Sequence, residues 1–260
     1  MKYLLHRKLP GYLFTLWLLV PGIIQAQDPI EPDQHTFGAI QARHIGPAVM
    51  SGRVTCIDAL NADPRKVYIG TAGGGIWKSE NAGVTVEPVF DQHTQSIGAL
   101  TIDQRHPDTL WAGTGESRTR NSVSVGTGIY KSVDGGETWS YAGLGESERI
   151  GQIAIDPSNS NIVYVAALGT LWDDNTERGL FKTTDGGNTW KKILYVNLRT
   201  GCCDISLDPR DPNIIYAAMW EHRRLPWSFT SGGPGSGLYK STDGGATWDR
   251  ITTGLPGEEL

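Results

Sequence analysis

Two glutamates and a set of aromatic and charged loop residues are the side chains best suited to chemistry in this chain. Glu116 opens the stretch 116–127 (ESRTRNSVSVGT), and Glu221 opens 221–236 (EHRRLPWSFTSGGPGS). Hydrolysis of a glycosidic bond uses two carboxylates, one as acid and one as base or nucleophile. These two fall at equivalent positions of a repeat, each just past an apolar strand. The plainer reading is that each is solvated or pairs with an arginine nearby in sequence, Arg118 or Arg223. The stretch 169–178 adds Trp172, Asp173, Asp174, Glu177 and Arg178, and the last stretch adds His222, Arg224 and Phe229. Flat aromatic faces beside carboxylates and guanidiniums suit sugar rings or peptide side chains. Trp172, Asp173, Trp220, Arg223 and Trp227 are therefore the candidate binding residues. His44, His93 and His106 show no ligand spacing, and the three cysteines form no C-x-x-C pair, so neither a metal nor a cofactor is expected. The vicinal pair Cys202-Cys203 leaves open a metal ligand pair, a strained disulfide or plain small buried residues.

The elements that must position these residues come from an internal repeat. Segments 128–139 (GIYKSVDGGETW), 179–190 (GLFKTTDGGNTW) and 237–248 (GLYKSTDGGATW) are nearly identical, and 75–86 (GIWKSENAGVTV) is a degraded copy. The copy has Asn81 in place of Asp134, Asp185 and Asp243, and Val86 in place of Trp139, Trp190 and Trp248. Upstream of each segment runs an alternating strand, a turn rich in Asp, Pro and Asn, and a second apolar strand. Four antiparallel strands in about 50 residues are expected for one blade of a β-propeller. The chain is thus expected to be all-β, with four-stranded blades near 44–90, 91–143, 144–196 and 197–260.

The recurring box is a folding device. Gly-Gly supplies positive φ in a tight turn. The aspartate and the Ser or Thr two residues before it accept hydrogen bonds from turn amides. The tryptophan, expected to start the fourth strand, fills the gap between blades. The boxes lie on one face of such a scaffold. The loops 72–74, 116–127, 169–178 and 221–236 lie on the other, and the last three are much longer than the first. Long loops on a rigid scaffold are where binding residues lie.

Composition agrees: 33 Gly, nine Trp, nine Tyr and five Phe suit a β protein with many tight turns. Residues 1–26 carry a basic start, an apolar stretch and a small residue at a cleavage position, the pattern of a secretory signal peptide. An uncleaved N-terminal anchor is the alternative. Removing 1–26 takes away Lys2, Arg7 and Lys8 and no acid, so the net charge becomes 20 − 28 = −8. That charge gives no footprint for nucleic acid or an anionic membrane. The protein is expected to be exported, periplasmic or extracellular, with 27–43 as a short lead.

The S/T-x-D-G-G-x-T-W boxes resemble the Asp-box, or bacterial neuraminidase repeat. The blade layout resembles the sortilin-type N-terminal propeller and the xyloglucanase-type glycoside hydrolases. The opening 45–54 (IGPAVMSGRV) with 68–79 (YIGTAGGGIWKS) resembles the first blade of large exported bacterial proteins of that group. The resemblance covers roughly residues 44 to 260. It implies a ring of six or more blades, so this chain is expected to be a fragment or to need further blades, a compact four-blade propeller being the alternative. It also implies a protein, peptide or polysaccharide ligand, as sortilin-type propellers bind protein or peptide ligands. The xyloglucanase-type acid lies in a Thr-Asp-x-Gly-Gly stretch in the first blade. Here that stretch is 71–75 (TAGGG), and Ala72 cannot transfer a proton. The expected function is a binding module, with a glycoside hydrolase-related protein as the alternative. An assembly factor built on the same box is a third possibility.

Overall fold

The computed structural model describes residues 53–255. The expected leader, the lead segment and the opening 45–52 lie outside them. The chain divides into two units, 1–44 and 45–260, and every described residue belongs to the second.

Those residues form four antiparallel sheets in chain order, each a meander. The first is β1 (Val54–Leu60), β2 (Asp63–Thr71), β3 (Ile76–Ser79) and β4 (Glu87–Pro88). The second is β5 (Ile97–Ile102), β6 (Leu110–Thr114), β7 (Ile129–Ser132) and β8 (Ser140–Tyr141). The third is β9 (Ile150–Asp156), β10 (Asn159–Ala167), β11 (Gly179–Thr183) and β12 (Lys191–Leu194). The fourth is β13 (Thr200–Leu207), β14 (Ile215–Leu225), β16 (Gly237–Ser241) and β17 (Asp249–Ile251), with β15 (Ser228–Ser231) paired to the far end of β14. Among the described residues there is no α-helix, and the one helical turn is a 3-10 segment, Gly145–Ser147. This is the expected all-β architecture of propeller blades.

The core lies between blades, not within them. One cluster joins Tyr68 and Ile76 of the first blade to Ile97, Leu100 and Leu110 of the second. Another joins Trp111 and Ile129 to Ile150, Val163 and Phe181, and a third joins Tyr164 and Leu180 to Ile205, Ile215 and Ala217. Strands β6 and the end of β10 are therefore buried on both faces. In β14 the burial alternates, Tyr216 being exposed between buried Ile215 and Ala217. One face of the fourth blade is thus uncovered among the described residues.

Successive blades are latched by repeated polar contacts. Tyr68 Oη donates to Gly135 O (2.9 Å), Lys131 Nζ to Gly186 O (3.0 Å) and Lys182 Nζ to Gly244 O (2.8 Å). Each acceptor is the first glycine of the next box. Trp139 Nε1 donates back to Val89 O (2.8 Å), and Trp190 Nε1 to Ala142 O (2.7 Å). The fourth strands begin one residue after these tryptophans, just as β4 begins one residue after Val86.

Within each box the aspartate organises the turn. Thr138 N and Ser132 Oγ donate to Asp134 Oδ1, and Thr138 Oγ1 donates to Oδ2 at 2.6 Å. Asp185 and Asp243 repeat the pattern. The degraded first box keeps it: Ser79 Oγ and Thr85 N donate to Asn81 Oδ1, and Asn81 Nδ2 donates to Thr85 Oγ1. Ala82 there adopts φ 59, where Gly135, Gly186 and Gly244 sit near φ 70. These hydrogen bonds hold the Asp134 and Asp243 carboxyls down to about 2, and Asp185 lower still. A depressed folded pKa means the stabilisation is complete above the unfolded value, about 4, and is lost as pH falls through the folded one. Tm is expected to drop from about pH 4 to about pH 2. Because Asn81 already serves in a box, the triple change Asp134→Asn, Asp185→Asn and Asp243→Asn is expected to flatten that drop without unfolding the chain. A pH profile of Tm as steep as the parent's would contradict this.

Candidate functional site

The loops that follow the second strand of each blade meet on the face opposite the boxes. The first is three residues, Ala72 to Gly74, tied down by Ala72 N to Arg53 O and Gly74 N to Thr71 Oγ1. Ala72 stands at the position of the expected xyloglucanase-type acid and offers no proton donor.

Neither candidate catalytic glutamate is a free carboxylate on this face. Glu116 is buried, 2% exposed, and is ion-paired with Arg53 rather than with Arg118. Its amide donates to Ser96 Oγ. Glu221 accepts from Gly235 N at 2.8 Å, and its own amide donates to Ser236 Oγ. It closes the base of the fourth loop and does not pair with Arg223. Among the described residues the two glutamates share no partner.

The fourth loop, given in the sequence only as a long loop, contains a β-hairpin. His222 pairs with Ser231, and Leu225 with Ser228, leaving Pro226-Trp227 as a two-residue turn. Proline fixes φ at the first turn position. Trp227 sits at the tip and is 81% exposed. Trp220 lies at the hairpin base, stacked on His222 (4.3 Å between centroids), edge-on to Phe229, and donating to Ser231 Oγ. It packs within the hairpin, so of the candidate aromatics Trp227 and Trp172 are the open faces.

The loop of the third blade docks against this hairpin. Arg223 Nη1 donates to Asp174 Oδ1 at 2.7 Å and its Nη2 reaches Asp173 Oδ1 at 3.5 Å, while Arg199 pairs with Asp174. Two of the candidate binding residues, Asp173 and Arg223, are thus brought together as an ion pair. The loop of the second blade joins through Arg224 Nε to Asn121 Oδ1 (2.5 Å).

Beneath the loops lie two buried guanidiniums. Arg149 donates to Gly169 O, Thr170 O, Thr119 Oγ1 and, at 2.6 Å, His222 Nε2. Arg178 donates to Leu168 O, Thr170 O, Arg199 O and Asp173 O. Burial, then mutual repulsion, lowers Arg149 to about 9; burial lowers Arg178 to about 10. Burial and both arginines push His222 down to about 3, so its ring is neutral and Nε2 accepts a hydrogen bond from Arg149 Nη2. Arg149 carried no signal in the sequence, being a single loop arginine whose role depends on burial by three other segments.

The vicinal cysteines are thiols. Cys202 Sγ donates to Asp204 O and Cys203 Sγ to Ala218 O, and burial raises Cys203 to about 11. Cys203 replaces Gly98 and Gly151. A Cβ on Gly151 would meet Cys203 O of the next blade at 2.6 Å, and one on Gly98 would collide with Ile150 O. Among the described residues, no group of three His, Cys, Asp or Glu side chains could hold a metal.

Four-stranded blades packed face to face, Asp-box turns on one face and a loop-built rim on the other define an Asp-box β-propeller. The sequence model described as "Sortilin, neurotensin receptor 3," matches residues 127–257, and the chain belongs to this Sortilin-Vps10 family. It is also 30% identical over 195 residues to a xyloglucanase of Hypocrea jecorina, covering 64% of this chain and 21% of that protein. A xyloglucanase of Acetivibrio thermocellus is 26% identical over 217 residues, with 71% and 24% covered. The chain therefore spans about a fifth to a quarter of these relatives. The crystal structure of an ancestral GH74 enzyme superposes with a TM-score of 0.62 at 20% identity, over 81% of this chain and 27% of that one. That of the GH74 xyloglucanase from Xanthomonas campestris gives 0.56 at 18%, over 76% and 29%. At these identities the two structures speak to the fold.

Proposed function

We propose that this chain is an exported binding module that takes a protein, peptide or polysaccharide ligand on the loop face of its propeller. The observation that carries this is the convergence of three loops, held by Arg149, Arg223 and Arg224, two of which carry the open aromatic faces of Trp172 and Trp227. Side chains fixed by buried hydrogen bonds lose little entropy when a ligand arrives. Export fits the leader pattern of residues 1–26, and no helix of the described residues is long and apolar enough to cross a membrane. The uncovered face of the fourth blade presents Tyr216 and Lys240, counterparts of the residues that hold the next box in the earlier blades, and suits a further Asp-box blade.

The similarity to xyloglucanases favours a second reading, a glycoside hydrolase-related protein. Against it stand Ala72 at the acid position and the engagement of Glu116 and Glu221 with Arg53 and Gly235. Trp172→Ala with Trp227→Ala is expected to weaken retention on immobilised polysaccharide or peptide ligand about tenfold or more, from the loss of two aromatic contacts. Unchanged retention of the double variant would remove the loop face as the site.

A further inference from the structure

The loop face holds more positive charge than its ion pairs use. Segment 118–121 is the meeting point. Its Thr119 hydroxyl accepts from buried Arg149 (3.1 Å), and its Asn121 side chain accepts from Arg224 of the hairpin (2.5 Å). Between and beside these anchors, Arg118 and Arg120 are exposed. Four guanidiniums thus gather on one short segment, and none of them makes an ion pair among the described residues. The neighbouring acids are committed elsewhere: Glu116 to Arg53, Asp173 and Asp174 to Arg223, and Glu221 to Gly235. The cationic neighbours of Glu148 are the buried Arg149 and Arg178, while burial raises its pKa. In a chain whose expected mature charge is −8, a local cluster of unpaired arginines concentrates attraction for an anion at one place.

The aromatics beside the cluster narrow the ligand. Arg224 stacks over Phe229 at 5.5 Å, Phe229 is 40% exposed, and Trp227 stands open two residues before it in the same hairpin. A peptide of acidic side chains alone would satisfy the guanidiniums and leave these ring faces uncovered. A neutral glycan would cover the rings and leave the guanidiniums unmet. A polymer whose sugar rings carry carboxylates satisfies both, since planar guanidinium matches carboxylate in a two-point hydrogen bond. Resting on the reading of the loop face as a binding surface, we infer that Arg118, Arg120 and Arg224, with Trp227 and Phe229, form a recognition site for a uronate-containing polysaccharide.

Affinity electrophoresis of the purified chain in gels containing polygalacturonate, xyloglucan or dextran sulfate tests this. The expected result is strongest retardation by polygalacturonate, weakened by added salt. Arg118→Ala with Arg120→Ala changes two exposed, unpaired side chains and is expected to bind about tenfold more weakly while keeping the parent's Tm and near-ultraviolet spectrum. Arg118→Lys with Arg120→Lys keeps the charge and is expected to recover only part of the affinity, because lysine lacks the planar fork. Equal retardation by dextran sulfate, full recovery by the lysine variant, or an alanine variant that binds like the parent would overturn the site. Retardation by xyloglucan alone would overturn it and leave the loop face standing. Retardation by none of the three polymers, with no peptide bound either, would overturn both.

Discussion

Trp190→Ala is expected to cost about 3–4 kcal/mol of folding stability, read as a fall in the urea midpoint. The indole packs on the cluster between the second and third blades, edge-to-face with Trp111 at 6.1 Å, and its Nε1 bonds Ala142 O of the preceding blade. Truncation leaves a void between two sheets and a carbonyl without its donor. Since each blade touches only its neighbours, the damage is concentrated at one interface. The transition is therefore expected to broaden as well as shift. Trp190→Phe keeps much of the ring and loses the hydrogen bond, so it is expected to cost about 1 kcal/mol for that bond plus a smaller packing loss. An alanine variant within about 1 kcal/mol of the parent would show that the box tryptophan does not hold the blades together.

Gly115→Ala is expected to cost about 3 kcal/mol and to displace the second loop. Gly115 has φ 82, unfavourable for any residue with a side chain, and an added Cβ would run into Glu148 O and lie 2.9 Å from Gly126 N. Both obstacles are backbone, so neither can swing aside. The same contacts root the second loop: Gly115 N donates to Ser96 O and Gly126 N to Glu148 O. The displacement should therefore reach Thr119 and Asn121 and weaken ligand binding too. Gly83→Ala is the control, with φ 86 and nothing within 4 Å of the added carbon. It isolates the backbone conformational cost, about 1 kcal/mol. Equal losses for the two variants would mean that the Glu148 contact is not decisive.

Much of this was legible in the sequence because the box is local. Asp134, Ser132 and Thr138 satisfy one another within seven residues, so their spacing alone describes the turn. Even Asn81, a departure on paper, keeps the geometry, since its amide oxygen accepts from Ser79 and Thr85 N as the carboxylates do and its amide nitrogen donates to Thr85 Oγ1 in place of the third bond. The face on which the long loops gather also followed from the strand order. The site's detail did not. The hairpin at 221–236 was hidden by its glycines and by charged residues that read as a solvated loop, although Pro226-Trp227 is a turn pair. Glu116 found Arg53, 63 residues away, in place of Arg118 two residues away. Arg149 and Arg178 gain their roles only when carbonyls from separate segments converge on them, and nothing in a single stretch of sequence encodes that convergence.

The most direct test of the central reading measures retention and turnover together. Purified protein is mixed with xyloglucan, β-glucan, polygalacturonate and sialoside substrates, and bound protein and newly formed reducing ends are read from the same samples. Retention with no new reducing ends is predicted, and Trp172→Ala with Trp227→Ala should weaken that retention about tenfold or more. New reducing ends that persist in the tryptophan variant and vanish with Glu116→Gln or Glu221→Gln would contradict it and make the chain a hydrolase.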